Sequence, residues 1–355
     1  MKIDFSSFKF SEIAPETEFE EKVFLFLEEW FHDSKTVKVQ TSGSTGTPKI
    51  FDIEKERMRH SAKMTCDILG LKNGDSALLC LPVDYISGKM MVVRAIERNL
   101  KLVAKTPTSK PILDLFEEIN FCAMSPLQVE NSLDKIHLIK NLIIGGAAVS
   151  ESLKNKITTT LTSDLQHPTS DHRIYETYGM SETLSHIALK QIYPVAEEYF
   201  NILEGVEISL DERGCLQIFA PNLNPEILKT NDLVEIKIPE NNQNPEKEFK
   251  FLGRIDNVIN SAGLKIYPEQ LESLLKKTIS NEVVFLGIND KLLGQKLILL
   301  IEGRKNEEVE KNLENIIYPS KNHRPKEMIF LENFPRIPNG KVNRKELLNL
   351  VKQNK

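Results

Sequence analysis

Short, wholly apolar runs alternate with amphipathic segments along the first half of the chain. Residues 19–31 carry apolar side chains at every third or fourth position, which is the spacing of one helix face. Residues 77–81 are apolar throughout and end at Pro82, as buried strands do. Further segments of these two kinds predict helices at 55–69 and 86–95 and strands at 121–124 and 138–144. This alternation predicts an α/β fold with a largely parallel sheet, whose functional loops follow the carboxyl ends of the strands.

The pattern changes after residue 205. Two alternating runs flank a turn at 211–214 and predict a hairpin, and short β segments continue to residue 251. The smaller unit that follows has predicted helices at 268–277 and 309–317, strands at 283–286 and 297–300, and a polar tail of turns up to residue 355. We expect a large N-terminal α/β domain with a β-rich portion, residues 1–255, and a small α+β C-terminal domain, residues 256–355.

Composition narrows the class of protein. A chain of 355 residues is long enough for about two or three domains, and 40% hydrophobic with 27% charged residues is typical of a soluble globular protein. The formal net charge of −5 predicts no general attraction to nucleic acid or anionic membrane. No apolar run approaches the ~18 residues of a membrane-spanning helix, and the N-terminus lacks a signal-peptide core. The cysteines Cys66, Cys80, Cys122 and Cys215 are scattered, which favours reduced thiols and a cytoplasmic location. The histidines show no zinc-site spacing.

Residues 41–49 form a loop rich in glycine and hydroxyl side chains between two short alternating runs. Its residues are Thr41, Ser42, Gly43, Ser44, Thr45, Gly46, Thr47, Pro48 and Lys49. The N–H groups and hydroxyls of such a loop bind oxygen anions, and Lys49 supplies the positive charge that a triphosphate needs. The segment departs from the Walker pattern because Pro48 stands directly before Lys49. A phosphate loop is the prediction, and a flexible linker is the alternative.

Further short motifs follow this loop along the chain. They are Gly145-Gly146-Ala147, Tyr178-Gly179-Met180-Ser181-Glu182, Thr230-Asn231-Asp232, Gly253-Arg254-Ile255-Asp256, Ala262-Gly263-Leu264-Lys265 and Pro338-Asn339-Gly340-Lys341. In this order, and with the loop 41–49, they resemble the adenylate-forming superfamily of acyl-CoA synthetases, adenylation domains and luciferases. The resemblance covers about residues 37–347. Ser181 replaces the usual threonine and keeps the hydroxyl. Asn231 departs from the family's glycine, although asparagine tolerates left-handed backbone better than most residues.

The resemblance implies a site for ATP, Mg²⁺ and coenzyme A. The loop 41–49, with Lys49, would hold the β and γ phosphates. The adenine would lie against Gly145, Gly146 and Ala147 and stack on Tyr178, which Gly179 follows in the same motif. Ser181 would contact the α-phosphate, and Glu182 would hold Mg²⁺ through hard oxygen ligands. Asp232 would accept hydrogen bonds from the ribose, and Arg254 would contact the ribose or a phosphate.

The C-terminal motifs resemble the family's moving parts. Asp256 matches the hinge about which the C-terminal domain rotates, and Gly263 would lie by the pantetheine channel. Lys341 would bridge the attacking carboxylate and the α-phosphate. The implied chemistry has two half-reactions, in which the carboxylate first forms acyl-AMP and coenzyme A then displaces AMP.

The resemblance also indicates which carboxylic acid is the substrate. Because the phosphate loop begins at residue 41, the chain is similar to a shortened form that lacks much of the family's first subdomain. Its length and the Ile86-Ser87-Gly88 stretch are most similar to the o-succinylbenzoate–CoA ligases of menaquinone biosynthesis. Tyr85 replaces the family's gating histidine, and Tyr85 and Ser87 are predicted to line the acid site. Arg94 is our hypothesis for the anchor of the second carboxylate, and a surface helix residue is the alternative.

Other functions stay open at this point. The alternatives are another aryl- or fatty-acyl-CoA ligase, an adenylating enzyme that loads a carrier protein, and a non-catalytic nucleotide-binding regulator. A mere nucleotide binder has no need of Lys341, which argues against the regulator. The expected partners are a small carboxylic acid, ATP and coenzyme A, with no nucleic acid and no membrane span, in a monomer or homodimer.

Overall fold

The computed structural model describes residues 1–40, 50–163, 171–237, 248–336 and 342–353. Its strands are β1 (Lys2–Asp4), β2 (Thr36–Gln40), β3 (Ile50–Glu54), β4 (Ser76–Leu79), β5 (Lys101–Ala104), β6 (Ile119–Met124), β7 (Ile139–Ile144), β8 (Arg173–Gly179), β9 (His186–Tyr193), β10 (Phe200–Ile202), β11 (Glu207–Leu210), β12 (Cys215–Ala220), β13 (Asn224–Lys237), β14 (Glu248–Arg254), β15 (Ile259–Ser261), β16 (Leu264–Ile266), β17 (Val283–Asp290), β18 (Gly294–Glu302) and β19 (Glu327–Leu331). Its helices are α1 (Glu18–Phe31), α2 (Lys55–Ile68), α3 (Ile86–Glu97), α4 (Pro126–Glu130), α5 (Glu151–Ser163), α6 (Pro268–Leu275), α7 (Glu307–Glu314) and α8 (Arg344–Gln353).

The large sheet has the strand order β1-β5-β4-β6-β7-β8-β9-β10-β14-β13-β12-β11. Its strands β5, β4, β6, β7 and β8 run parallel to one another, whereas β1 pairs antiparallel with β5 and the strands from β9 to β14 pair antiparallel. The α/β fold class predicted from the sequence is therefore confirmed. In the large sheet, parallel pairing is confined to the part where strands alternate with helices along the chain. The carboxyl ends of β6, β7 and β8 lie at one edge, so the loops that follow them gather there.

Helices cover both faces of the parallel strands. Ala77 and Leu79 of β4 pack in the same cluster as buried residues of α1, α2 and α3. Leu78 and Cys80 point to the other face, into a cluster that includes residues of α4 and α5. Because neither face meets water, the strand needs apolar residues at every position, which explains its wholly apolar sequence.

The strands β2 and β3 form a separate two-stranded sheet. Their antiparallel register pairs Gln40 with Ile50, the residues on either side of the loop 41–49. Val37, Val39 and Ile53 pack into the same core as α1 and α2. The predicted strands around the loop are thus confirmed as a hairpin, while the loop itself lies outside the described residues.

The chain beyond Arg254 builds a second sheet, with the order β16-β15-β18-β17 and with β19 parallel to β18. The predicted tail of turns is wrong, because residues 344–353 form α8. Leu347 and Val351, one helical turn apart, are buried against β17 and β18. In the described part of the chain, no helix combines the length and apolar character needed to cross a bilayer.

Candidate active site

The loops after β7 and β8 meet at the carboxyl edge of the parallel strands. The Gly145 N–H donates to the carbonyl of Met124, at the end of β6, over 3.1 Å. A Cβ on Gly145 would lie 2.7 Å from Thr177 Oγ1, so a larger residue would displace that side chain. Gly146 has φ +83°, and Gly146 and Ala147 are exposed. This bare backbone can receive a flat aromatic ring, as the prediction for adenine requires.

The turn after β8 is tightly built. A Cβ on Gly179 would lie 2.3 Å from the Ser185 carbonyl oxygen, so the position requires glycine. The buried Thr183 accepts the Met180 N–H at Oγ1 over 3.1 Å, and this Oγ1 lies 2.7 Å from the same Ser185 carbonyl. Leu184 has φ 64°, a left-handed conformation that a bulky residue rarely adopts. Such strain persists where surrounding contacts enforce it, and it often marks a functional site.

Ser181 and Glu182 lie in the 3-10 turn held by these contacts. The Glu182 backbone carbonyl accepts from Asn224 Nδ2 over 3.1 Å, and the side chain is exposed. Among the described residues the Glu182 carboxylate has no hydrogen bond or ion pair, so its oxygens are open to a cation. These are ligands that Mg²⁺ prefers. No three His, Cys, Asp or Glu side chains form a metal-binding group in the described ranges, so Glu182 fits a metal shared with the oxygens of a ligand.

Tyr178, Asp232 and Arg254 come together from β8, β13 and β14. The Tyr178 hydroxyl donates to Asp232 Oδ2 over 2.5 Å, and Arg254 Nε lies 3.7 Å from Asp232 Oδ1. The Tyr178 ring packs edge-on against Phe249, with ring centroids 4.9 Å apart. Burial and the charge of Asp232 raise the pKa of Tyr178, which keeps the hydroxyl protonated as a donor. The remaining lone pairs of Asp232 are available to accept from hydroxyl groups of a sugar.

Asn231 links the large sheet to the residues that follow it. Its Nδ2 donates to Asp256 Oδ2 over 3.1 Å, and its Oδ1 accepts from Arg213 Nη1 over 2.9 Å. Arg254 Nη2 lies 3.4 Å from the same oxygen of Asp256. Asn231 lies in β13, and its φ is outside the left-handed region. The ability of asparagine to adopt left-handed backbone therefore does not explain this residue. Its side chain instead contacts the residue predicted as the hinge.

Arg94 is a buried cation for which the described residues provide no negative partner. It is 2% exposed, so the alternative of a surface helix residue is wrong. Its Nη2 donates to Ser185 Oγ over 2.6 Å, its Nη1 approaches Met91 Sδ at 3.9 Å, and its Nε has no hydrogen-bond partner. No described carboxylate lies within ion-pair distance of it. Burial lowers the pKa of Arg94 to about 10, which still leaves the guanidinium charged at neutral pH.

A chain of hydrogen bonds fixes the surroundings of this guanidinium. Thr65 donates its hydroxyl to the Ser61 carbonyl over 3.1 Å, so it accepts from His186 Nε2, which lies 3.1 Å away. His186 Nδ1 then accepts from the Ser185 hydroxyl at 3.3 Å, which leaves a Ser185 lone pair for Arg94. Burial and the charge of Arg94 lower the pKa of His186 well below its usual value, consistent with this neutral form. The charge of Arg94 is therefore the net charge of the cluster.

The remaining predicted acid-site residues lie at the start of α3. Tyr85 immediately precedes the helix, is 37% exposed, and forms a parallel bridge with Gln40 at the base of the loop 41–49. Ser87 is exposed and lies seven residues before Arg94, so the two share a helix face. The structure thus brings the loop base, Tyr85 and the Arg94 helix together.

Other predicted residues lie apart or outside the described chain. Gly263 has φ +80° and forms with Ala262 the two-residue turn between β15 and β16. A Cβ added to Gly263 would meet nothing within 4 Å among the described residues. Lys341 and all residues of the loop 41–49, including Lys49, lie outside the described residues.

The cluster around Arg94 includes Ser185, His186 and Thr65, which sequence patterns do not reveal. Thr65 and His186 are separated by 121 positions, and no family motif includes Thr65. The one available signal is the position of Ser185 and His186 directly after the Tyr178–Glu182 motif.

Known proteins resemble this chain in sequence and in fold. No protein-family model matches the chain. A solved structure from Dyadobacter fermentans, an acyl-CoA synthetase (AMP-forming)/AMP-acid ligase II-like protein, is 32% identical, with a TM-score of 0.63 and coverage of 96% of this chain and 97% of that chain. The 2-succinylbenzoate–CoA ligase of Lactococcus lactis is 26% identical, over 89% of this chain and 72% of that protein. The O-succinylbenzoate coenzyme A synthetase (MenE) of Bacillus subtilis, solved with ATP and magnesium ion, has a TM-score of 0.70 at 20% identity, over 88% of this chain and 69% of that chain.

The chain belongs to the AMP-forming acyl-CoA synthetases of the adenylate-forming superfamily. This chain and the Dyadobacter protein match over nearly the whole length of both, whereas this chain spans about 72% of the Lactococcus ligase. Within the superfamily its likeness is to the MenE type, which the Lactococcus and Bacillus proteins represent.

Proposed function

We propose that this protein is an ATP-dependent carboxylic acid–CoA ligase that acts on 2-succinylbenzoate in menaquinone biosynthesis. Named 2-succinylbenzoate–CoA ligases from several bacteria are similar to most of the chain, which supports this substrate. One observation of the site carries the proposal furthest: Arg94 offers a buried positive charge with no described counter-ion. An unpaired buried charge is costly, and an anionic group of a ligand relieves that cost. The acid therefore carries a second carboxylate besides the one that reacts.

The proposed nucleotide site follows from the motifs of the sequence. The loop 41–49 with Lys49 holds the β and γ phosphates, Ser181 contacts the α-phosphate, and Asp232 and Arg254 hold the ribose. Adenine lies on Tyr178 and on the bare backbone of Gly145, Gly146 and Ala147, next to Gly179. Glu182 holds Mg²⁺, which neutralises phosphate charge when it is bound. The open carboxylate of Glu182 and the donor–acceptor pair of Tyr178 and Asp232 support this assignment.

The reaction has two steps. In the first, a carboxylate oxygen of the acid attacks the α-phosphorus of ATP, the bond to the bridging oxygen breaks, and pyrophosphate leaves. Lys341 neutralises charge between the carboxylate and the α-phosphate. In the second, the thiolate of coenzyme A attacks the acyl carbon and AMP leaves, while the thiol proton goes to solvent.

The two steps use two domain arrangements. We propose that residues 1–255 and 256–355 are domains joined by a hinge at Asp256, whose rotation withdraws Lys341 and brings Gly263 to the pantetheine of coenzyme A. The change of sheet between Arg254 and Ile259 supports this division. Four unpaired cysteine thiols support the cytoplasmic location expected from the sequence.

The test is an assay of the purified protein with Mg-ATP, coenzyme A and a panel of acids that includes 2-succinylbenzoate. Release of AMP and pyrophosphate with 2-succinylbenzoate, dependent on coenzyme A, is the expected result. AMP from another acid would keep the chemistry and reject the substrate. AMP without free thioester would indicate a carrier protein as the acceptor, and tight ATP binding without any turnover would indicate a regulator. Sedimentation of the same sample decides between monomer and homodimer.

A further inference from the structure

Two carboxylates hold the chain on either side of the segment 337–341, which ends with Lys341. The first is Glu302, the last residue of β18. Its Oε1 accepts the Phe334 N–H over 2.7 Å, and its Oε2 accepts from Arg336 Nη2 over 2.6 Å. Phe334 is itself buried in the core around α8. Because both oxygens of Glu302 are engaged, the chain entering the segment is fixed in backbone and side chain.

The second carboxylate is Glu272 of α6. Its Oε1 accepts the Phe285 N–H over 2.7 Å, and its Oε2 is hydrogen-bonded to Arg344, the first residue of α8. Arg344 Nη1 also donates to the Phe285 carbonyl over 3.2 Å. Glu272 is 8% exposed, and buried ion pairs of this kind hold a single geometry because each group left unpaired is costly. The start of α8 is therefore fixed to α6 and β17.

Main-chain contacts join the two sides. Arg336 and Val342 form an antiparallel bridge, and the Asn343 N–H donates to the Pro335 carbonyl over 2.8 Å. The chain that ends at Arg336 and the chain that begins at Val342 are thus held side by side. Val342 follows Lys341 directly, so the residues bound by the two carboxylates determine where the backbone next to Lys341 lies.

We propose that Glu272 and Glu302 are positioning residues for Lys341 in the formation of the acyl adenylate. This inference rests on the proposed function, in which Lys341 acts in the first half-reaction and is withdrawn in the second. The rate of a reaction between positioned groups depends strongly on their distance and orientation, and a displacement of about 1 Å lowers the rate about a hundredfold. Loss of either carboxylate therefore slows the first half-reaction and spares the second.

The main variant is Glu302→Gln, which removes the charge of a partly exposed side chain. Glu282→Gln is the matched control, because Glu282 forms a 2.6 Å ion pair with Lys276 in the same part of the chain and its side chain is 33% exposed, against 22% for Glu302. Glu272→Gln tests the other side of the segment. Since Glu272 is buried, thermal melting and circular dichroism establish that this variant is folded before its rates are compared.

The two half-reactions are measured separately. Acid-dependent exchange of pyrophosphate into ATP reports the first, and thioester formation from synthetic acyl adenylate and coenzyme A reports the second. Glu302→Gln is expected to slow the exchange by about tenfold or more and to change thioester formation by less than about twofold. Hydrogen exchange in the peptide 334–347 is expected to rise in Glu302→Gln. Glu282→Gln leaves all three quantities near the wild-type values.

The outcomes separate this inference from the proposed function. An active wild type whose two rates fall equally, or not at all, in Glu302→Gln overturns the positioning role alone. A wild type without acid-dependent exchange overturns the proposed function, and the positioning role with it, before any variant is compared. A rise in hydrogen exchange without a selective loss of the first half-reaction would assign Glu302 to stability and not to positioning.

Discussion

Arg94 brings a positive charge into the core at a point where the described residues offer no negative one. Met91, Ser185 and the other neighbours supply dipoles, which compensate a charge only in part. The pKa of about 10 that burial imposes is the measure of this cost, and it leaves the side chain protonated at neutral pH. A protein retains an unpaired buried charge where a ligand supplies the opposite charge. We therefore expect Arg94 to strengthen substrate binding and to lower the stability of the free protein.

Replacing Arg94 with methionine tests this expectation. The KM for the dicarboxylate should rise by about ten- to a hundredfold, the range for hydrogen bonds to a charged group, while the KM for ATP stays nearly constant. The melting temperature should stay equal or rise, because the buried charge is gone. Arg98→Met is the control, since Arg98 lies near the end of the same helix and pairs with Asp67 at the surface. Equal changes in the KM for the dicarboxylate and the KM for ATP would contradict the role of Arg94 as the anchor of the second carboxylate.

His186 makes folding stability depend on pH. Its pKa is lowered by burial and by the charge of Arg94, so the folded protein keeps it neutral while the unfolded chain takes up a proton below about pH 6.5. The unfolded state then binds more protons, and stability is lost as the pH falls, by at most about 1.4 kcal/mol per pH unit from this group. Denaturation of the wild type and of His186→Asn at pH 7.5 and 5.5 should give a drop that is smaller in the variant by about 1 kcal/mol. Equal drops would show that folding does not lower the pKa of His186.

At the scale of single elements, the sequence best predicts those strands and helices whose hydrophobic pattern does not depend on side chains from other elements. The strands β4, β6 and β7 are recognisable because both of their faces are covered, and α1 and α2 because one face is apolar. The strand β8 is not recognisable, since its buried Glu176 depends on Lys154 and Lys190, each 3.0 Å away and supplied by α5 and β9. The short α8 has few buried positions in a polar sequence. The Arg94 cluster unites residues that are far apart along the chain, so motif reading finds the arginine and misses its partners.

The turn after β8 yields a prediction for Gly179→Ala. The added Cβ would lie 2.3 Å from the Ser185 carbonyl, which belongs to a backbone that cannot rotate away. The turn carrying Ser181 and Glu182 must shift, and we expect acid-dependent pyrophosphate exchange to fall by about a hundredfold. Gly205→Ala serves as control, since its Cβ meets nothing within 4 Å and only its φ of +80° is strained. Similar exchange rates in the two variants would contradict the role of the turn.

At the scale of the whole molecule, polar contacts at the surface surround Asp256, which lies between the two sheets. Asp256 is bound by Asn231 at 3.1 Å and approached by Arg254 at 3.4 Å, and all three side chains are at the surface. Exposed contacts of this kind contribute about 0–1 kcal/mol each. Contacts this weak at Asp256 suit the proposed hinge, because by themselves they favour neither arrangement of the two domains strongly.

Asn231→Gly removes one of these contacts. A change of up to about 1 kcal/mol should alter the ratio of the two half-reaction rates by up to about fivefold, through the balance of domain arrangements. Asn201→Gly is the control, because Asn201 also lies in a strand and donates to Glu197 at the surface over 2.8 Å. An unchanged ratio in Asn231→Gly, with both variants equally stable, would show that the contact does not bias the hinge.

The bridge between Gln40 and Tyr85 ties the base of the loop 41–49 to the start of the Arg94 helix. A ligand that restrains Gln40 therefore also restrains Tyr85 and the start of the helix that carries Arg94, where the proposed acid site lies. Thermodynamic reciprocity then fixes a relation between two equilibria: the factor by which ATP tightens binding of the acid equals the factor by which the acid tightens binding of ATP.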